Sequence, residues 1–258
     1  MARTFTKNTS NFMNLGQNTI GAMLQGASQA AVMLWAKPAS FTATAGTNQA
    51  FASQMGGNAT ALAFGFYDSA STSNKLRIAA RSQASDGGQT ALSTTALSTG
   101  TLYHLGARID YGGSKIYVYV NGVLETTQTV TFGSATYAHT NVTGAYEDML
   151  GAFGAPFSVP ASTTQQFDGE LSELVLWKFA GGDVAMADAD FAFVAAGGHP
   201  RRVAKGTLIY YQRILGTASP EVPDVGSGNG TITGSLPQAT HPTVYGGPSV
   251  FNRRLRAA

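Results

Sequence analysis

Apolar and polar positions alternate over short stretches along most of the chain, and turn-forming residues separate those stretches. Residues 31–36 are a continuous apolar run that meets Lys37-Pro38, where a proline is expected to stop a ladder. Residues 61–67 alternate, with Leu62, Phe64 and Phe66 on one side and small residues on the other; residues 76–80 form a further short strand. The clearest stretch is 102–130. A strand over 102–109 leads into the turn Asp110-Tyr-Gly-Gly113, and the β-branched and aromatic run 115–120 reaches Asn121-Gly122. That pair predicts a type I′ hairpin, because both central residues of such a turn need positive φ, with residues 123–130 as the return strand. Alternation along 115–120 directs Ile116, Val118 and Val120 at the core and Tyr117 and Tyr119 to the other face.

Two more strands are expected over 149–153 and 169–178, separated by a Pro-, Ser- and Thr-rich loop over 154–166. One helix is predicted, over 184–196, with Asp183 as its N-cap and Gly197-Gly198 as its stop. Many short strands with one short helix give an all-β fold, an antiparallel β-sandwich. No segment of 20–50 residues repeats, which excludes a solenoid or propeller.

Composition narrows the function classes. Of 258 residues, 12% are charged, about half the usual share, and 31 are glycine. A 43% hydrophobic content suffices for a sizeable core and excludes disorder throughout. A net charge of +2 is too small for nucleic-acid binding through bulk electrostatics. With no cysteine there is no disulfide framework and no thiolate zinc site. No apolar run approaches the ~18 residues that would cross a bilayer, so membrane insertion is not expected, and no signal peptide is read at the start. Charge is uneven: residues 1–139 balance at +4, 140–198 at −7 and 199–258 at +5. Either this is ordinary surface variation, or acidic and basic faces meet between neighbouring copies in an assembly.

The segment from Tyr103-His104 through Ile109, the turn at 110–113, Ile116-Tyr-Val-Tyr-Val-Asn-Gly122 and Leu150-Gly-Ala-Phe153 resembles LamG-type, concanavalin A-like jelly rolls. Phe167-Asp-Gly-Glu-Leu-Ser-Glu-Leu-Val-Leu-Trp177 and the short helix after it are similar to that family's closing strand and helix. The resemblance implies two packed, curved antiparallel sheets. Residues 206–212, with the segments at 219–224 and 228–234, are similar to the part that usually opens such domains, and they imply a late strand closing the same sandwich. The same arrangement is similar to LamG-like proteins of bacteriophage virions. The expected organisation is an N-terminal arm over 1–29, a sandwich over 30–245 and a basic tail over 246–258.

Chemistry-bearing constellations are sparse. A retaining glycosidase needs two carboxyls about 5–5.5 Å apart. Glu170 and Glu173, three apart on one predicted strand, should point to opposite faces, and Glu147 and Asp148 diverge as neighbours. No catalytic residue is assigned, and no His lies in a nucleophile motif; His104 is read as structural. No cofactor is expected. For calcium, loop-edge carboxylates at Asp110, Glu147, Asp148 and Asp168 lack local ligand spacing, and solvated loops account for them; Asp110 and Asp168 are the pair that could meet at one rim. For glycan, Tyr111, Tyr137 and Tyr146 near loops are the candidate stacking rings.

Two functions follow as expectations. The first is a bacteriophage virion structural protein (capsid decoration, fibre-like or tail-associated) with virion proteins such as the major capsid or tail protein as partners, homo-oligomeric, made in the host cytoplasm, without enzymatic activity and open to cell-surface glycan contact. The polar lead over 1–29 suits an arm that orders only against a partner. The alternative is a secreted carbohydrate-binding module or lectin.

Overall fold

The computed structural model describes residues 2–6, 11–17, 19–41, 47–56, 59–68, 74–138, 147–152, 166–214 and 219–239. The chain forms β1 (Ala2–Phe5), β2 (Phe12–Gln17), helix α1 (Thr19–Leu24), β3 (Gln29–Pro38), β4 (Thr47–Gly56), β5 (Ala59–Asp68), β6 (Lys75–Ala80) and β7 (Gln89–Ala96). It continues through β8 (Tyr103–Asp110), β9 (Lys115–Val120), β10 (Val123–Thr129), β11 (Glu147–Leu150), β12 (Gly169–Phe179), helix α2 (Asp188–Ala195), β13 (Thr207–Gln212), β14 (Thr231–Thr233) and β15 (Gln238–Ala239). An eight-stranded sheet runs β10-β9-β8-β3-β12-β1-β15, with β13 also on β12, and a seven-stranded sheet runs β14-β2-β11-β4-β5-β6-β7. Among the described residues every strand pairing is antiparallel.

The hairpin turn is the one the Asn-Gly pair predicts, with φ +50° at Asn121 and +79° at Gly122. Ile116, Val118 and Val120 face between the sheets with Leu105, Val32 and Leu176, against Leu76 and Ile78 of the second sheet. Tyr117 and Tyr119 take the opposite face. There α2 lays a third layer on the eight-stranded sheet. The Phe191 ring stacks on Tyr119 at 3.7 Å and 5°, the Tyr119 hydroxyl donates to Asp188 at 2.8 Å, and Met33, Val175 and Trp177 are buried beneath. Close approach accounts for Gly106, where an added Cβ would sit 2.8 Å from the Phe191 ring.

The N-terminal segment does not form an arm. β1 pairs with β12, β2 with β11, and Phe5, Phe12, Met13, Leu15, Ile20 and Leu24 are buried. Phe5, Met13, Leu15, Ile20 and Leu24 join the core between the sheets and Phe12 packs separately with Met149 and Ala152, so a polar-looking lead contributes to both sheets. Residues 246–258 lie outside the described residues. The helix begins four residues later than predicted. Asp183 accepts from the Ala180 amide and closes a turn, while the Ala187 amide donates to Asp190 at the true helix start. Two acidic residues of 140–198 pair with basic residues of the flanking segments, Glu170 with Lys37 and Asp190 with Lys205.

Candidate functional site

β12 is the strand on which two partners share an edge. β1 pairs with residues 169–171 and β13 with 174–178, end to end along the same side. Between them Ser172 sits opposite Trp35 and Val175 opposite Met33, so Glu173 and Leu174 together oppose one residue of β3. This is a bulge, with Glu173 at φ +56°. Leu174 packs inward, whereas Glu173 accepts a 2.6 Å hydrogen bond from the hydroxyl of Tyr211, a member of the outer layer. Glu170 and Glu173 therefore share the outer face, contrary to the opposite faces expected from their spacing; one inserted residue reverses the parity.

Each of these carboxylates has its own partner. Glu170 pairs with Lys37 at 3.2 Å. Burial pushes the Glu173 carboxyl up to about 7, against the lowering effects of the Tyr211 hydroxyl and Arg213 and with help from Asp224. Asp224 is paired with Arg213 at 2.6 Å, and its carbonyl accepts from Arg201. The His199 ring meets Tyr211 edge-on at 5.6 Å, and burial followed by the Arg201 charge lowers its affinity for a proton.

Among the described residues the apolar cluster of the outer layer reaches the row of Met33 and Gly106. One row further along, alternation places His104, Trp35 and Ser172 side by side on β8, β3 and β12, and the next row carries Lys37, Glu170 and Thr4. Trp35 is partly exposed and meets the edge of His104 at 5.1 Å and 62°. His104 is buried with neither ring nitrogen hydrogen-bonded, and burial lowers its pKa to about 3; its main chain is held on both sides by Asn121. The partly exposed tryptophan was missed in the sequence because it lies in an apolar run. The available signal was Lys37, two residues on and on the same face.

The residues singled out in the sequence lie elsewhere. Tyr111 and Tyr137 are each 1% exposed, packed on one another at 5.8 Å in the core between the sheets, so neither offers a ring face to a sugar. Their glycine-rich and serine-rich surroundings look like a rim, but the chain folds these rings under it. Tyr146 lies outside the described residues. Asp110 accepts the Gly113 amide and shapes its turn, and Asp168 accepts from the Ser40 hydroxyl. Asp110 is opposite Gln29 and Gly169 opposite Pro38, so Asp110 and Asp168 flank opposite ends of the ten-residue β3, about 30 Å apart. They do not meet at one rim. Asp148 is buried and accepts the Ile20 amide at 2.6 Å. Among the described residues no three His, Cys, Asp or Glu side chains gather as a metal site, and no helix is long and apolar enough to cross a membrane.

No curated protein matches the chain. A candidate carbohydrate binding protein of Bacteroides ovatus is similar in structure, with a TM-score of 0.63 and 17% identity over 95% of this chain. The chain spans 61% of that protein's length. The CBM40 of a Ruminococcus gnavus IT-sialidase, bound to α2,3-sialyllactose, has a TM-score of 0.53 and 13% identity, covering 75% of this chain and 96% of its own. The native heptameric SAP-like pentraxin of Limulus polyphemus has a TM-score of 0.53 and 16% identity, covering 89% and 94%. At such identities the likeness is one of fold. A family model described as the concanavalin A-like lectin/glucanases superfamily matches residues 8–181, more than half of the sequence. With its two antiparallel sheets packed around one core, the chain belongs to the concanavalin A-like lectin/glucanases superfamily.

Proposed function

We propose that this protein is a carbohydrate-recognising domain that binds glycan without cleaving it. The observation that carries the reading is the end of the eight-stranded sheet beyond α2, where a partly exposed tryptophan stands one row from the Lys37–Glu170 ion pair on a concanavalin A-like sandwich. An aromatic ring with fixed polar groups at its side is what sugar recognition requires. Structural likeness to a carbohydrate-binding module and to a candidate carbohydrate binding protein supports the same reading. The carboxylates of Glu170 and Glu173 are each engaged by a partner, which supports binding over hydrolysis.

The second reading is a virion subunit, expected from the resemblance to phage LamG-like proteins, from the lack of a catalytic constellation, of cysteine and of an export signal in the sequence, and from polar ends serving as arms. β1, β2 and α1 are core elements, which removes the N-terminal support for it. A glycan array with the purified full chain, paired with sedimentation velocity, separates the two. Saturable binding to a defined glycan class supports carbohydrate recognition. Absence of binding together with stable high-order oligomers supports the assembly subunit.

A further inference from the structure

We propose that Trp35 is the stacking platform of a site for neutral pyranose glycans, with Lys37 and Glu170 reading the sugar hydroxyls. This rests on the reading of the protein as glycan-binding, and it names the place and the class of sugar.

The chain has two tryptophans, and they differ in exposure. Trp177 is fully buried beneath α2, whereas Trp35 is partly exposed although β3 lies inside the sheet, between β8 and β12. Among the described residues the apolar cluster under α2 reaches Met33, one row before Trp35, whose ring is partly exposed while its Nε1 is buried. The surroundings hold the ring in place. Its backbone is laddered on both sides, opposite His104 and Ser172, and the His104 ring abuts it edge-on at 5.1 Å. A ring fixed before binding loses little freedom when a ligand lands on it.

Polar groups stand at the right step. Lys37 follows Trp35 by two residues on the same face, about 6.6–7 Å along the strand. Glu170 lies directly across from Lys37, and Thr4 directly across from Glu170. A pyranose laid with its C–H face on the indole would bring its hydroxyls over an ammonium that donates and a carboxylate that accepts. Both remain reachable, with the side chains 40% and 24% exposed and the pair 3.2 Å apart.

The charge pattern selects the sugar. Lys37 and Glu170 compensate one another, and Thr4 and Ser172 are neutral, so the patch carries no spare positive charge. A sugar carboxylate would have to displace Glu170 from Lys37 and would face Glu170 unscreened. Neutral hexopyranose chains are favoured over sialylated ones.

Acrylamide quenching of tryptophan fluorescence tests this directly, because Trp177 is shielded and the quenchable emission belongs to Trp35. The probes are cellotetraose, laminaritetraose, mannotetraose and lactose, with α2,3-sialyllactose as the acidic comparison. The expected result is that a neutral probe protects Trp35 from quenching and that Trp35→Ala lowers affinity at least tenfold. The double variant Lys37→Ala/Glu170→Gln, at the surface, lowers affinity several-fold with an unchanged melting temperature, which keeps the test independent of any folding defect in Trp35→Ala. Binding of a neutral probe with unaltered Trp35 quenching, or undiminished in the double variant, overturns the site and leaves the glycan reading standing. Preference for sialyllactose overturns the sugar class. Failure of every probe to bind the wild type overturns both.

Discussion

Tyr211 donates a 2.6 Å hydrogen bond to Glu173, the residue that bulges from β12 at the point where β1 gives way to β13 as its neighbour. Burial raises the Glu173 pKa from 4.5 to about 7. The folded state therefore holds a proton that the unfolded chain releases near pH 4.5. Stability falls as pH rises from about 4.5 to about 7, and the loss is complete above that, at about 3 kcal/mol. Glu173→Gln keeps an acceptor for Tyr211 and removes the ionisation. Urea unfolding at a series of pH values should show this variant matching the wild type near pH 4.5 and exceeding it at pH 8.

His104 acts in the opposite direction. Burial lowers its pKa from 6.5 to about 3, so the unfolded chain binds a proton that the folded one refuses. Stability contributed by the neutral ring is present above pH 6.5 and is lost as pH falls toward 3, to an extent of about 4–5 kcal/mol. Neither ring nitrogen has a hydrogen bond to lose, so His104→Leu conserves the packing approximately and removes the titration. The variant should hold its stability in acid where the wild type declines. Between pH 4.5 and 6.5 the two groups offset each other, and the wild-type profile should be flatter there than that of either variant.

Arg3 and Glu221 join segments far apart in the sequence. Their side chains are 6% and 5% exposed and 2.5 Å apart, and Glu221 also accepts from Gln212. Arg3→Met leaves the carboxylate buried and uncompensated, at a cost of about 3–5 kcal/mol. Arg3→Met/Glu221→Leu should recover most of that loss in denaturant melts. A double variant as unstable as the sum of the two single changes would show that the pair is not coupled.

Gly106→Ala places a methyl within 2.8 Å of the Phe191 ring. The ring must leave its stack on Tyr119, loosening α2 from the sheet, with an expected loss of about 1–3 kcal/mol. Near-ultraviolet circular dichroism should lose intensity as the Tyr119–Phe191 stack opens. An unchanged spectrum and melting temperature would mean that the helix is not seated on Gly106.

The centre of the fold was legible where apolar residues crowd a short stretch. β3, β5, β6, β8, β9, β10 and β12 coincide with the predicted strands to within a few residues, and the Asn121-Gly122 turn follows from φ alone. β7, reading Gln-Thr-Ala-Leu-Ser-Thr-Thr-Ala, carries a single large apolar residue, and in β2, reading Phe-Met-Asn-Leu-Gly-Gln, the adjacent Phe and Met and the glycine break the alternation. They are strands because neighbours pair with them. The bulge at Glu173 is a property of how β12 meets two partners at once, which no alternation within β12 records. For the site, Tyr111 and Tyr137 have loop-like sequence contexts yet fill the core, and Trp35 has a core-like context yet reaches the surface. Exposure in both cases depends on what packs above the residue. Tyr111 and Tyr137 are closed in between the two sheets, whereas Trp35 lies on the outer face, beyond the residues that α2 covers.

The most direct measurement of the central claim is calorimetric titration of the intact protein with neutral oligosaccharides. A saturable heat with one site per chain is expected. An absence of heat with every oligosaccharide up to saturating millimolar concentration, from protein that melts cooperatively, would contradict it.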